Sequence, residues 1–295
     1  MNSPSHQSDL SMIFAPEQFL HTPSFEEAVE ACATTFRYTR QESPVVQLFL
    51  DADLRLHIGS NSYQFTEKAF GDLCTIVKVP ATFAKDIPPD LASIIVERLK
   101  MVHQETAVLA YREGVIVGII DPRKWEHRRK PRQPDDNTVP QQKIPRPHYQ
   151  PVPYRQLMQV IQKIWTDTTG DSRITLADSG MLVEMVGPSG VLEPRQGDIT
   201  RIGLAVAGRE TGGPVPHARG FTLRLLCTNG AVLPTSFRHV GFNTDWRVSF
   251  ARRLEAFGAA LAALAVAVVD WQQHLPQTYT RLATEPLSDL QFFNL

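Results

Sequence analysis

Cysteine is scarce in this chain: Cys32, Cys74 and Cys227 are the 3 thiols among 295 residues. They lie far apart and form no CxxC or Cys/His ligand spacing, which excludes a zinc finger or ribbon. An odd count without a spacing pattern also argues against a disulfide framework and predicts a reducing, cytoplasmic setting. Phosphate-cradling glycine loops are missing, since neither GxxxxGK[ST] nor GxGxxG occurs. The GxSxG elbow and the HExxH zinc signature are absent too, and the 9 histidines are scattered. No cofactor and no metal are expected on these grounds. Long apolar runs are lacking: the longest uncharged one covers residues 256–269. A bilayer span needs about 20 apolar residues, so this run is expected as a buried helix with no membrane partner. The first nine residues are polar and show no basic-then-apolar leader pattern.

Net charge is also small, at −1, but its placement is uneven. Residues 1–120 carry 9 Lys/Arg against 15 Asp/Glu, residues 121–153 carry 8 against 4, and residues 154–295 carry 13 against 12. Apolar residues make up 42% of the chain, enough for a substantial core. The 121–153 stretch holds 8 of the 22 prolines and no apolar periodicity. Proline removes donors and forbids helix, so this stretch reads as an extended linker or insertion. The expected organisation is therefore an N-terminal α+β unit (1–120), a Pro-rich basic segment (121–153) and a C-terminal α+β unit (154–295).

Local patterns fill in the elements. Ser24 followed by Glu27 reads as a capping box ahead of a helix over 24–37. Two strands are expected over 45–50 and 54–58, joined by Asp51-Ala52-Asp53. Thr66 is placed to cap a helix that Pro80 stops, and Pro88-Pro89 suits the first turn of the next. Strands over 106–111 and 115–120 flank Gly114, whose freedom of φ suits a tight turn. After the linker come a helix over 154–166 and strands over 173–178, 181–186, 199–207 and 221–228. A long helix over 246–271 closes the chain, with Phe250, Leu254, Phe257, Leu261, Leu264 and Val268 stepping by four and three. The fold class is expected to be α+β, with mixed or antiparallel sheets, packed helices and a long C-terminal helix.

Two stretches carry a family likeness. One runs from Phe65-Thr66-Glu67-Lys68-Ala69-Phe70 through Val79-Pro80 to Pro88-Pro89-Asp90-Leu91. The other comprises Gly197-Asp198-Ile199, Gly203, Glu210-Thr211-Gly212, Arg224-Leu225-Leu226-Cys227-Thr228-Asn229-Gly230 and Arg238-His239. In order and spacing these resemble the phage- and plasmid-borne family called domain of unknown function 932, over roughly residues 60–125 and 155–255. The family's Asn-Ser-Glu-x-Gly turn here reads Gly208-Arg209-Glu210-Thr211-Gly212, and the 121–153 stretch stands as an insertion. The resemblance implies a mobile-element setting and brings no chemistry with it.

The residues themselves offer three readings. The first is nucleic-acid association. Arg123, Lys124, Trp125, Arg128, Arg129, Lys130 and Arg132 place six cations and an indole within ten residues. Phosphates attract such density, and Trp stacks on unpaired bases. The C-terminal unit adds 12 arginines and a single lysine, Lys163. Arginine's planar fork fits phosphate, which singles out Arg219, Arg224, Arg238 and Arg247. Single-stranded DNA is the expected partner, in a replication or recombination accessory role. The second reading is an inhibitor or adaptor docking on host proteins through the acidic first unit and the proline-rich segment. The third is a metal-dependent hydrolase or nuclease around Asp198, Glu210, Arg224 and His239, with Asp245 as a further carboxylate. Cys227, with His239 as its nearest candidate partner in sequence, reads more simply as a buried strand thiol, and Asn229-Gly230 as turn chemistry.

Overall fold

In a computed structural model the described residues are 13–101, 106–121, 151–165, 171–187, 190–193, 199–212, 215–225, 232–243, 245 and 248–284. They form β1 (Phe19–Thr22), α1 (Phe25–Ala33), β2 (Thr39–Pro44), β3 (Phe49–Leu50), β4 (Leu56–Ile58), β5 (Asn61–Phe65), α2 (Glu67–Ile76), α3 (Ala81–Asp86), α4 (Pro89–Lys100), β6 (Thr106–Arg112) and β7 (Val115–Ile120). Then come α5 (Tyr154–Trp165), β8 (Asp171–Ala177), β9 (Gly180–Val186), β10 (Val191–Leu192), β11 (Thr200–Gly208), β12 (His217–Leu225), β13 (Val232–Gly241) and α6 (Phe250–Thr284). The α+β class stands, with one mixed and one antiparallel sheet and a long last helix.

Helix starts follow their caps. The Ser24 hydroxyl accepts from the Glu27 N–H at 3.2 Å. Glu27 does not reach back to Ser24 directly; Thr22 relays, donating its hydroxyl to Glu27 at 2.5 Å and accepting from the Ser24 N–H at 3.0 Å. The Ser24 and Glu27 N–H groups, which have no intrahelical partner at the start of α1, are thereby satisfied in one chain of bonds. Thr66 caps α2 by accepting from the Ala69 N–H at 3.2 Å. Pro89 occupies the first turn of α4, as proline geometry favours.

Several elements depart from the sequence pattern. The segment expected as one strand over 45–50 is a 3-10 turn, Val45–Gln47, followed by the short β3. The Leu48 N–H closes on the Val45 carbonyl at 3.1 Å, which takes those residues out of any ladder. Polar β2 and β5, edge β1, short α3 and the whole of β13 carry no apolar alternation strong enough to announce them. The last helix starts later and runs further than 246–271.

One sheet has the order β2-β6-β7-β5-β4-β3, antiparallel except for the β5–β7 pair. The other has the order β1-β8-β9-β11-β12-β13, with β10 beside the start of β11. Pairing does not follow chain order: β1 lies antiparallel to β8, with Phe19 opposite Ala177. β1 thus belongs to the sheet built mostly after residue 170. The same mixing appears in the core. Ala28, Cys32 and Phe36 pack with Leu157, Met158 and Ile161 of α5, with Leu204 and Val206 of β11, and with Phe257, Leu261 and Leu264 of α6. A second cluster joins Phe65, Phe70, Leu73, Cys74, Val96, Leu109 and Ile116 under the mixed sheet. Each of the large aliphatic and phenyl side chains among these contributes about 1.5–3 kcal/mol by leaving water.

The 256–269 run is not buried all round, contrary to the sequence expectation. Phe257, Leu261, Leu264 and Val268 are in the core, while Val266 is 71% exposed. Residues Phe250–Leu275 are long and apolar enough to cross a membrane by length and composition, the property shared by many soluble core helices.

Candidate nucleic-acid interface

Strand alternation decides which side chains reach the outer face of the antiparallel sheet. Ile174, Leu176, Val183, Met185, Ile202, Leu204, Val206 and Ala218 are buried, most of them in the core against α5 and α6. Their neighbours Arg173, Glu184, Arg201, Gly203, Ala205, Arg219, Phe221 and Leu223 therefore point the other way. The register sets one row across the strands: Arg173 opposite Glu184, Glu184 opposite Ala205, Ala205 opposite Arg219, and Arg219 opposite His239. Arg173 and Arg219 are three strand spacings apart, about 14 Å.

A groove of about 390 Å³ opens on this face. Asp171, Arg173, Glu184 and Arg201 form its polar wall, and Val186, Phe221 and Leu223 its apolar floor. Phe221 is buried with Val186 and Ala205 in a small cluster of its own. Gly203 makes that possible, because a Cβ there would stand 2.7 Å from the Phe221 ring. Arg173, Arg201 and Arg219 are all exposed. Among the described residues, none of the three is in an ion pair or a side-chain hydrogen bond. Glu184 stands across from Arg173 without closing a bridge.

The residues singled out from sequence divide into three groups. Arg123, Lys124, Trp125, Arg128, Arg129, Lys130, Arg132, Gly197, Asp198, Cys227, Asn229, Gly230 and Arg247 lie outside the described residues. Arg219 is on the grooved face, and Arg224 pairs in β12 opposite Thr200 and Leu233. Arg238 is exposed at φ 46°, the extra residue of a bulge in which His239 pairs Arg219 and Phe237 pairs Gly220. The third group, Glu210 and Gly212, is interior, at the seam between the sheets.

At that seam Glu210 pairs with Arg40 and accepts the Tyr154 N–H at 2.5 Å. Burial pushes its carboxyl above the usual range, opposed by the Arg40 charge and the Tyr154 N–H. The Thr211 hydroxyl donates to the Asp178 carbonyl at 2.6 Å, and Lys68 donates to Thr211 at 3.3 Å while pairing with Asp72 at 2.8 Å. Gly212 sits at φ 100°, where an added Cβ would meet Ile120 at 2.7 Å. Gly118 lies so close to Thr211 that any Cβ would clash with its carbonyl. Arg112 and Asp178, which no sequence pattern singled out, belong to the same seam. The Arg40–Glu210, Lys68–Asp72 and Arg112–Asp178 pairs are closed, so the arrangement braces the fold.

Of the carboxylate and histidine set proposed for metal chemistry, Asp198 lies outside the described residues, and Glu210 and His239 are not brought together. Glu210 is buried against Arg40, whereas His239 is exposed on β13, 3.5 Å from Ser236. Among the described residues no group of three or more His, Cys, Asp or Glu is placed to hold a metal ion. No protein-family model, no curated protein and no solved structure matches the chain.

Proposed function

We propose that this protein is a nucleic-acid-associated accessory protein that takes single-stranded DNA across the outer face of its antiparallel sheet, in the mobile-element setting implied by the resemblance noted above. The observation that carries the reading is the unpaired trio Arg173, Arg201 and Arg219 on one face. Guanidinium groups left without carboxylates are free to fork onto phosphate oxygens. The apolar floor of Phe221 and Leu223 gives sugars and bases a dry surface, and Glu184 offers an acceptor for a base amino group. A net charge of −1 disfavours broad, non-specific duplex coating and suits a short track.

Fluorescence anisotropy with labelled single-stranded oligonucleotides over a salt series tests this. Affinity should fall linearly with salt on logarithmic axes. The triple variant R173E/R201E/R219E should reduce that slope by about 2, given about 0.7 per phosphate contact on single strands. Absence of binding, or binding indifferent to salt and to the triple variant, defeats the reading.

A further inference from the structure

The outward stripe of α6 has a regular pattern. Its exposed residues Arg252, Ala256, Ala259, Ala263, Val266 and Asp270 recur at steps of four, three, four, three and four. That is the spacing of a continuous helix seam, and the buried stripe of Phe257, Leu261, Leu264 and Val268 uses the opposite side. Among the described residues the outer stripe is open at its centre, where Val266 is 71% exposed.

The order of residues along the stripe reads as its own complement. Taken about the level of Leu261, Ala259 mirrors Ala263, Ala256 mirrors Val266, and Arg252 mirrors Asp270. A two-fold axis at that level would run the two helices antiparallel. It would set alanine against alanine at the centre, allowing axes to approach to about 8 Å, and would bring each Arg252 to the other copy's Asp270. Parallel pairing would instead oppose like charges at both ends. Among the described residues Asp270 pairs with His274 one turn on, at 3.3 Å, and its side chain is 65% exposed, so its carboxylate is accessible to a cation. An isologous interface requires one patch that complements itself under such an axis, and this patch does.

We infer that α6 mediates an antiparallel homodimer, with Arg252 of each chain paired to Asp270 of the other across an alanine and valine seam. The seam is short, so the dimer forms and dissociates with concentration rather than being permanent. It leaves the grooved outer face of the sheet free, because α6 packs on the opposite, inner face.

Sedimentation velocity on the full chain over a concentration series reads this out. The wild type should shift from monomer to dimer. R252D and D270R should each raise the dissociation constant about tenfold or more, because each reversal turns two attractions into two repulsions. The combined R252D/D270R chain should recover the wild-type constant, as the swapped charges again meet. V266E should abolish dimerisation. All three positions are exposed, and circular dichroism checks that each monomer stays folded. A chain that is monomeric throughout, or a dimer indifferent to these substitutions, overturns the inference. So does a monomer that co-sediments with phosphatidylcholine and phosphatidylglycerol vesicles through Val266, which would assign the stripe to a lipid surface. Oligonucleotide binding is scored separately and does not enter this result.

Discussion

Arg112, at the end of β6, and Asp178, in the turn after β8, form a buried two-pronged ion pair that ties one sheet to the other. Nη2 meets Oδ2 at 2.8 Å and Nε meets Oδ1 at 3.2 Å, with side-chain exposures of 11% and 0%. Asp178 also accepts from the Tyr38 hydroxyl at 3.1 Å and the Gln18 N–H at 2.8 Å. Burial alone would lower the Arg112 pKa, but the Asp178 hydrogen bond and charge outweigh it and raise it. Removing one partner strands the other charge in a dry site. Asp178→Ala should therefore cost about 3–5 kcal/mol, read as a lower midpoint in urea denaturation with unchanged slope. The joint replacement Arg112→Met with Asp178→Leu should cost markedly less, because no orphan charge remains. Equal losses from the single and the joint variants would show that the pair does not bear on stability as argued.

Much of this fold was readable from local signals, and the seam shows where such reading stops. Ser24, Thr66 and Pro89 mark their helix starts because a cap acts within three residues. The outer arginines were legible in type but not in grouping. Arg173 and Arg201 were passed over beside Arg219, since only the register of β8, β9, β11 and β12 brings the three to one face. Glu210 was singled out as a candidate metal carboxylate, whereas it pairs with Arg40, which lies 170 residues away in sequence. No pattern within either segment announces that contact. β1 likewise gives no hint of its pairing with β8, because its four residues alternate too briefly to signal a sheet.

Gly118 and Gly114 separate two reasons for glycine. At Gly118 the obstacle is space: a Cβ would clash with the Thr211 carbonyl and stand 2.9 Å from the Lys68 Nζ. At Gly114 the obstacle is backbone conformation alone, with φ 81° and nothing within 4 Å of a Cβ. Gly114→Ala should cost about 1 kcal/mol from the strained φ. Gly118→Ala should cost about 1–3 kcal/mol or more, because β7 and the 208–212 turn must part to admit the methyl. Thermal denaturation of the two variants side by side checks the order. If Gly114→Ala proves the more damaging, the close approach of the sheets at Thr211 is not tight.

Asp51 predicts part of the acid sensitivity. Burial would raise its pKa, but the His57 ring at 2.7 Å and the N–H groups of Arg55 and Asp53 prevail and lower it from the ordinary value of 3.8. A carboxyl depressed in the folded state stabilises the fold above its unfolded pKa and loses that contribution as pH falls through the folded value. Asp51→Asn should therefore lower stability near neutral pH and flatten the fall in stability below about pH 4. Urea titrations from neutral to acid pH measure both. An acid limb identical to wild type would remove Asp51 from the account.

Cys32 and Cys74 should behave as silent thiols. Burial pushes the Cys32 thiol up to about 12, with the Glu210 charge acting in the same direction. Burial likewise pushes Cys74 up to about 11, against a small opposing effect of Lys85. The thiolate is the reactive form, so at pH 8 a thiol with a pKa near 12 is ionised roughly a thousandfold less than one near 9. Both residues are also closed to solvent, at 5% and 0% exposure. In a Cys227→Ser chain, a disulfide reagent such as DTNB should therefore label these two thiols only as fast as the protein opens. The rate should climb with urea along the unfolding curve and stay flat in native buffer between pH 7 and 8. Rapid labelling of either thiol in native buffer would mean that α1 or α2 departs from its core far more often than the packing of Phe36 or Phe70 allows.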